Sequence, residues 1–217
     1  HRDLHSFPTR RSSDLKGHMR LKYIHLAICC LFIYMSCGYL NIKSNTNRMN
    51  SESLIKQGKA YWEKRANPKS AKMAALFFEK AVELNPKKLE LAVSLSRAYF
   101  FQGYYIEIDP AIRDTLYLKG ANAALTGFKN TTYFQSFADT TSVDNSKLQI
   151  SAISQAPVET IPALYWWAAN IGRYLTTKPV LTRNESREII ETAMHRIATL
   201  DEDYYYGGPA RFFGTFY

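Results

Sequence analysis

The sequence predicts an all-α fold, and two observations support this. Apolar residues recur at intervals of three and four along most of residues 51–217, whereas the alternating pattern of strands is scarce. The roughly 180 residues that follow Cys37 suit one domain with a sizeable core. The chain has no HExxH, CxxC, GxGxxG or Walker pattern. We therefore predict neither an enzyme nor a cofactor.

The N-terminal segments are interpreted as lying outside this domain. Residues 1–18 lack apolar periodicity, and their HSFPTRRSSDL stretch is what a common sequencing adapter gives when translated. We interpret them as a non-native leader and expect the native start at Met19. At the other end, the GGPARFFGTFY segment opens a further helix, and we expect additional native residues beyond Tyr217.

Residues 19–37 have the pattern of an export signal, with Arg20 and Lys22 before an apolar run that is shorter than the ~20 residues of a membrane span. The run ends at Ser-Cys-Gly, which predicts lipidation of Cys37, although Tyr34 stands where leucine is usual. The alternative is an uncleaved anchor over residues 21–40. All three cysteines lie in the signal segment, so cleavage before Cys37 leaves no internal disulfide. Residues 38–50 are polar and are predicted to be a flexible tether.

The charge of the chain does not indicate a nucleic-acid partner. The formal net charge is +9, but residues 1–37 hold six of the 28 basic and two of the 19 acidic residues. The remainder has a net charge of +5, with the charges interspersed along the predicted helices. We interpret them as solvated faces and expect no nucleic-acid binding.

The first three predicted helices resemble a helical repeat. They span about 51–66, 69–85 and 87–102, and Gly103 is predicted as the residue that ends the third. A tetratricopeptide pattern is matched, with about four extra residues in the first turn, at Gly58, Tyr61, Ala74, Phe78, Ala81 and Pro86. This pattern predicts antiparallel helix pairs stacked in a superhelical array.

The second half is predicted to continue as helices. These span about 111–129, 146–155, 159–175 and 183–200, with a looser connection over 131–145. Thr160 is a candidate N-cap, and Thr182 with Glu185 forms a candidate capping box. His195 has Glu191 at i−4 but no nucleophile or metal partner, so we interpret it as a surface residue. Asp201, Glu202 and Asp203 are interpreted as a solvated helix end.

The stretch 159–175, ETIPALYWWAANIGRYL, contains two of the three tryptophans. Leu164, Ala168, Ile171 and Leu175 form a buried stripe at helical spacing. A second face carries Trp166, Asn170 and Arg173. Either a further layer of helices covers this face or it forms the wall of a ligand or partner groove.

The PALYW segment followed by LDEDYYYGGPARFFG resembles the signature of the TatT family, the T-components of TRAP (tripartite ATP-independent periplasmic) transporters. The order and spacing of the two segments carry the resemblance, which extends from about residue 50 to the end of the chain. One departure is Ile171, which replaces a second tryptophan of the family pattern.

The resemblance implies a periplasmic, membrane-anchored lipoprotein that partners the transporter's substrate-binding protein. It also implies a homotrimer whose apolar pore holds a hydrophobic small molecule. The residues that we expect at this site are Tyr165, Trp166, Asn170, Arg173, Tyr204, Tyr205, Arg211 and Phe212. The alternative function is a generic tetratricopeptide lipoprotein that organises envelope complexes, for which a hydrophilic groove would be expected instead of an apolar pore.

Overall fold

The computed structural model describes residues 49–216, except for the side chains of residues 145, 146 and 216, and most of this part of the chain is helical. The leader, the export signal and Cys37 lie outside this range. No strand occurs within it, so the all-α prediction is confirmed for the described residues. Its helices are α1 (residues 49–63), α2 (Pro68–Leu84), α3 (Leu89–Phe101), α4 (Pro110–Lys129), α5 (Thr132–Thr140), α6 (Asn145–Ser154), α7 (Ile161–Leu175), α8 (Val180–Leu200) and α9 (Tyr204–Phe216).

Local sequence signals explain where several of these helices begin. The side chain of Asn67 accepts hydrogen bonds from two backbone N–H groups of α2, and that of Asp109 does the same for α4. In both helices a proline, Pro68 or Pro110, follows the cap, where its missing N–H costs little. Helix α5 is capped by Thr131, whose hydroxyl oxygen accepts a hydrogen bond from the Phe134 N–H. Residues 131–145 therefore include a helix where the sequence predicted only a looser connection.

Two predicted helix starts are wrong in detail. The Thr160 hydroxyl donates to the carbonyl of Pro157 and makes no cap bond to α7. Helix α8 begins at Val180, immediately after Pro179, so Thr182 and Glu185 lie inside its first turns and form no capping box. Pro179 occupies the N-cap position with an extended backbone, φ −54° and ψ 152°, and α8 begins without a side-chain cap hydrogen bond.

Gly103 does not end α3 as predicted. The chain continues through one wide π-helical turn, Gln102–Ile106, in which the Glu107 N–H donates to the Gln102 carbonyl at 2.9 Å. Close packing explains the glycine, because a Cβ at this position would lie 2.8 Å from a ring carbon of Tyr117. The glycine is thus required by the approach of α4 and not by a helix end.

Helix α7 lies at the centre of the fold and packs against α3, α4, α8 and α9. Helices α3 and α4 pack on each other, α2 packs on α3, and α6 packs on α8. The main apolar core surrounds α7, and a smaller one lies between α2 and α3. None of the helices within residues 49–216 is both long and apolar enough to cross a membrane.

The smaller core includes residues of the repeat pattern. Ala74 and Ala81 are fully buried, and Phe78 is 3% exposed. A Cβ at Gly58 would lie 2.7 Å from the Phe78 ring, so the glycine lets α1 approach α2 at this ring. The repeat pattern therefore identified real packing residues, while the stacking of the pairs into a superhelix stays a prediction.

Candidate functional site

Helix α7 is buried on most of its sides. Trp166 and Trp167 are each 5% exposed and Asn170 is fully buried, because four helices surround α7. The face that carries Trp166 and Asn170 is thus covered by a further layer of helices. Trp166 and Arg173 of the same face also line a cleft, and its role as a ligand or partner groove stays a prediction.

The cleft lies among α1, α3, α7 and α9 and has a volume of about 480 Å³. Aromatic rings and arginine side chains dominate its wall. Its lining residues are Trp62, Arg65, Arg97, Phe100, Phe101, Tyr104, Tyr105, Tyr165, Trp166, Ala169, Gly172, Arg173, Thr176, Tyr205, Gly208, Arg211, Phe212 and Thr215.

Trp166 is the centre of the aromatic wall. Its ring centroid lies 5.0 Å from that of Tyr205, 5.3 Å from Tyr165 and 5.4 Å from Phe100, all in edge-to-face arrangements. These are the distances and angles at which aromatic quadrupoles attract each other. The rings of α3, α7 and α9 therefore hold one another in fixed orientations around the cleft.

Arg97 contacts aromatic rings from three helices of the cleft wall. Its guanidinium carbon lies 5.1 Å from the ring centroid of Trp62, 5.6 Å from Trp166 and 5.5 Å from Tyr205. Its Nη2 also donates to the Tyr205 hydroxyl at 3.5 Å. Cation–π contacts with several rings hold the guanidinium inside the cleft.

The other three arginines lie around Arg97. Arg65 stacks over Trp62 at 4.7 Å and donates to the Trp62 carbonyl. Arg173 lies 4.5 Å from the ring centroid of Tyr104. Arg211 donates to two consecutive backbone carbonyls at the start of α9, those of residues 205 and 206.

Those carbonyls belong to a left-handed turn inside α9. Tyr205, Tyr206 and Gly207 have φ values of 51°, 61° and 66°. The left-handed conformation costs an L-residue about 1–2 kcal/mol, and the two Arg211 hydrogen bonds offset part of this cost. The next residue must be glycine, because a Cβ at Gly208 would lie 2.5 Å from the Tyr165 ring. The turn directs the Tyr205 ring into the cleft.

Replacing Gly207 by alanine is expected to lower the free energy of unfolding by about 1 kcal/mol, because alanine pays the left-handed penalty. Within residues 49–216, no atom outside the local backbone and the adjacent residues lies within 4 Å of the added Cβ, so the effect reports backbone conformation. Gly214→Ala is the matched control, since that site is also open but helical, and it should gain about 0.5 kcal/mol. Urea unfolding followed by circular dichroism measures both. Equal effects of the two changes would mean that the turn is not left-handed in solution.

The structure brings together six of the eight residues predicted for the site. The residues that line the common cleft are Tyr165, Trp166, Arg173, Tyr205, Arg211 and Phe212. Tyr204 lies behind them, with its ring 5.3 Å from that of Tyr165. Burial raises the pKa of Tyr204 to about 12 and also raises the pKa of Tyr165, which nearby Arg211 partly opposes. Both phenols are therefore neutral near pH 7, and the charge of the cleft comes from its arginines.

Asn170 does not line the cleft. Its amide nitrogen donates to the carbonyl and hydroxyl of Ser96 on α3 and to the Trp166 carbonyl. Gly120 of α4 faces it, where a Cβ would lie 2.4 Å from its Oδ1. That oxygen accepts no hydrogen bond from the described residues. Asn170 thus ties α7 to α3 inside the core.

Seven cleft residues between 62 and 105 were not predicted from the sequence. One signal was present, because Arg97 interrupts the apolar helix α3 and precedes two aromatic residues, Phe100 and Phe101. An arginine in a buried apolar helix needs a partner or a cavity. Its pairing with Trp166 and Tyr205 depends on how α3 packs on α7, which the periodicity of each helix does not give.

A second, shallower depression lies along α6 and α8 and includes His195 and Glu191. The ring of His195 packs on Phe213, with ring centroids 4.6 Å apart. Between residues 49 and 216, no group of three or more histidine, cysteine, aspartate or glutamate side chains has the arrangement of a metal site. His195 therefore has the environment of a surface residue in contact with α9.

The second half of the chain matches a known protein family. The family model of the TRAP transporter T-component matches residues 109–217, which is half of the chain and includes the cleft residues of α7 and α9. No curated protein matches the sequence. Because this family model covers half of the chain, the chain belongs to the TRAP transporter T-component family.

Proposed function

We propose that the chain is a binding and scaffold component of a TRAP-type transporter. In this role it holds a hydrophobic small molecule in the cleft and partners the transporter's periplasmic substrate-binding protein. The cleft carries the proposal: aromatic rings from four parts of the chain surround about 480 Å³, within the range of about 300–1,000 Å³ typical of small-molecule sites. Membership of the family supplies the transporter context. We propose no catalytic role.

The proposal also includes a cellular location and an oligomeric state. Lipidation of Cys37 would hold the protein on a membrane facing the periplasm, and the apolar run before this cysteine supports it. We also propose a homotrimer built from tetratricopeptide-like helix pairs. The packing of Gly58 on Phe78 supports one such pair.

The partner surface is proposed to lie beside the cleft. The π turn and the segment after it expose apolar side chains, with Tyr105 67%, Ile108 88% and Ile112 47% exposed. Contiguous exposed apolar residues are typical of protein–protein contacts. Tyr105 also lines the cleft, so a partner bound there would contact the cleft mouth.

Co-purification of the full chain with the substrate-binding protein of its transporter tests the function. We expect a stable complex, and light scattering should give three copies of this chain in it. Ile108→Asp should abolish the complex without changing the melting temperature, whereas Leu181→Asp, at a site 71% exposed on α8, should leave it intact. A lone monomer that binds no partner would contradict the proposal and favour a generic envelope scaffold.

A further inference from the structure

The cleft is unusual for a hydrophobic site because its wall is strongly cationic. Among residues 49–216, four arginines line it and no aspartate or glutamate does. Within residues 49–216, no ion pair joins any of the four to an acidic side chain. A cleft lined by one sign of charge concentrates its field on whatever enters it. The four guanidinium groups also repel one another, and a bound anion would relieve that repulsion.

The four arginines differ in how many hydrogen-bond donors they have left. Arg211 uses two donors on backbone carbonyls, and Arg65 uses one. Arg97 makes one long hydrogen bond, at 3.5 Å to the Tyr205 hydroxyl, and the guanidinium carbon of Arg173 lies over the Tyr104 ring. A guanidinium has five N–H donors at its edge, and stacking on rings uses only its faces. Arg97 and Arg173 therefore retain donors for a ligand.

Arg97 has the better position of the two for binding an anion. It is half-buried, and its guanidinium lies over three rings, which hold it in place and shield it partly from bulk water. Hydrogen bonds from an ionised donor to an oxyanion are stronger in such surroundings than in water. The aromatic wall beside it offers Trp166 and Tyr205 to the apolar part of the same ligand.

We propose that the cleft binds an amphipathic monoanion, with an apolar, ring-containing body against the aromatic wall and a single oxyanion group on Arg97. Arg173 adds a second donor at the rim. This inference rests on the proposed function, in which the cleft holds a small apolar molecule, and it adds the charge of that molecule. A neutral hydrophobic ligand would offer no acceptor to the Arg97 donors that do not bond to Tyr205.

Two fluorescent probes of matched shape test the charge. Both 1-anilinonaphthalene-8-sulfonate and N-phenyl-1-naphthylamine carry the same rings, but only the first is an anion. Titrated into the full chain, the anion should bind at least about tenfold more tightly, which corresponds to one hydrogen bond to a charged group. Its affinity should also fall as sodium chloride is raised, while that of the neutral probe should not.

Variants then locate the effect. Arg97→Gln should weaken the binding of the anion about tenfold or more and change that of the neutral probe by less than about twofold. Arg183→Gln, at an exposed site on α8 outside the cleft lining, should change neither. If the Arg97 variant loses its cooperative melting transition, Arg173→Gln takes its place, with the same direction expected and a smaller effect.

The outcomes separate this inference from the proposed function. If the two probes bind with equal affinity, and the Arg97 and Arg173 variants change both affinities by the same factor, the anionic ligand is refuted. A role in holding a hydrophobic ligand then stands. If neither probe binds the full chain, the ligand-holding function fails together with the inference. A preference for the anion that survives both arginine changes would also overturn the assignment to these residues.

Discussion

Replacing Trp166 by alanine is expected to lower the free energy of unfolding by about 3–5 kcal/mol and to enlarge the cleft. The side chain is 5% exposed and contacts rings on α3 and α9, so its removal loses apolar burial and leaves a cavity. The cavity opens into the cleft, and the binding of N-phenyl-1-naphthylamine should weaken with it. Urea unfolding and fluorescence titration measure the two effects.

Trp167→Ala is the matched control for this change. Trp167 is the next residue on α7 and is equally buried, but it lies in the core and does not line the cleft. Its replacement should cost a similar amount of stability and leave probe affinity per folded molecule unchanged. If the Trp166 variant keeps both probe affinity and partner binding, the assignment of the site to α7 is wrong.

Replacing Asn170 by aspartate is expected to lower the free energy of unfolding by about 3 kcal/mol or more at pH 8. The amide nitrogen of Asn170 donates to the Ser96 and Trp166 carbonyls, at 3.3 and 2.8 Å, and to the Ser96 hydroxyl at 3.1 Å. A carboxylate would turn two of these contacts into repulsion between acceptors and would leave a charge buried without a counterion. Asn184→Asp, at an exposed site on α8, should have little effect.

The loss of folding stability caused by Asn170→Asp should increase as the pH rises. Burial would raise the pKa of the introduced carboxyl above its unfolded value of about 3.9. The charge penalty is therefore absent below about pH 4, and it grows by about 1.4 kcal/mol per pH unit up to the folded pKa, above which it is constant. Unfolding curves for the variant and the parent chain between pH 4 and 8 measure this. A penalty of constant size across that range would contradict the buried position.

The helices could be predicted from the sequence because each one buries a face. Helix α4, expected at 111–129, is found at Pro110–Lys129, and the helix expected at 146–155 is found at Asn145–Ser154. A helix that depends on tertiary contacts, such as α5, could not be predicted in this way. Phe134 is buried on Phe128 and makes α5 stable, although its segment is rich in polar residues.

The site could be predicted only in part, and Asn170 shows why. Its spacing from Trp166 places the two side chains on one face of α7, which is correct. Helix α3 crosses that face, however, so that Asn170 contacts Ser96 in the core while Trp166 reaches the cleft. Helical periodicity gives the angle of a side chain around its own axis. It does not give the point at which a neighbouring helix covers it.

Arg97 and the residues near it could not be found by this reasoning because their partners are far away in the sequence. Tyr205 lies 108 residues from Arg97, yet the two share a hydrogen bond. The two segments that carry the family resemblance lie on α7 and α9, and the family match begins only at residue 109. The part of the cleft formed by residues 62–105 depends on the packing of the complete fold.

The π turn at Gln102–Ile106 has a consequence for how this family member could diverge. A π turn holds one more residue than the α-helical turn it replaces, and each residue advances an α-helix by about 100°. Loss of a single codon here would rewind the helix and rotate Tyr104 and Tyr105, both cleft residues, about its axis. The contacts of α3 with α2 and α7 precede the turn and would keep their register. One insertion or deletion event can thus reshape the cleft mouth in a single evolutionary step, provided that Gly103 keeps its close contact with Tyr117 of α4.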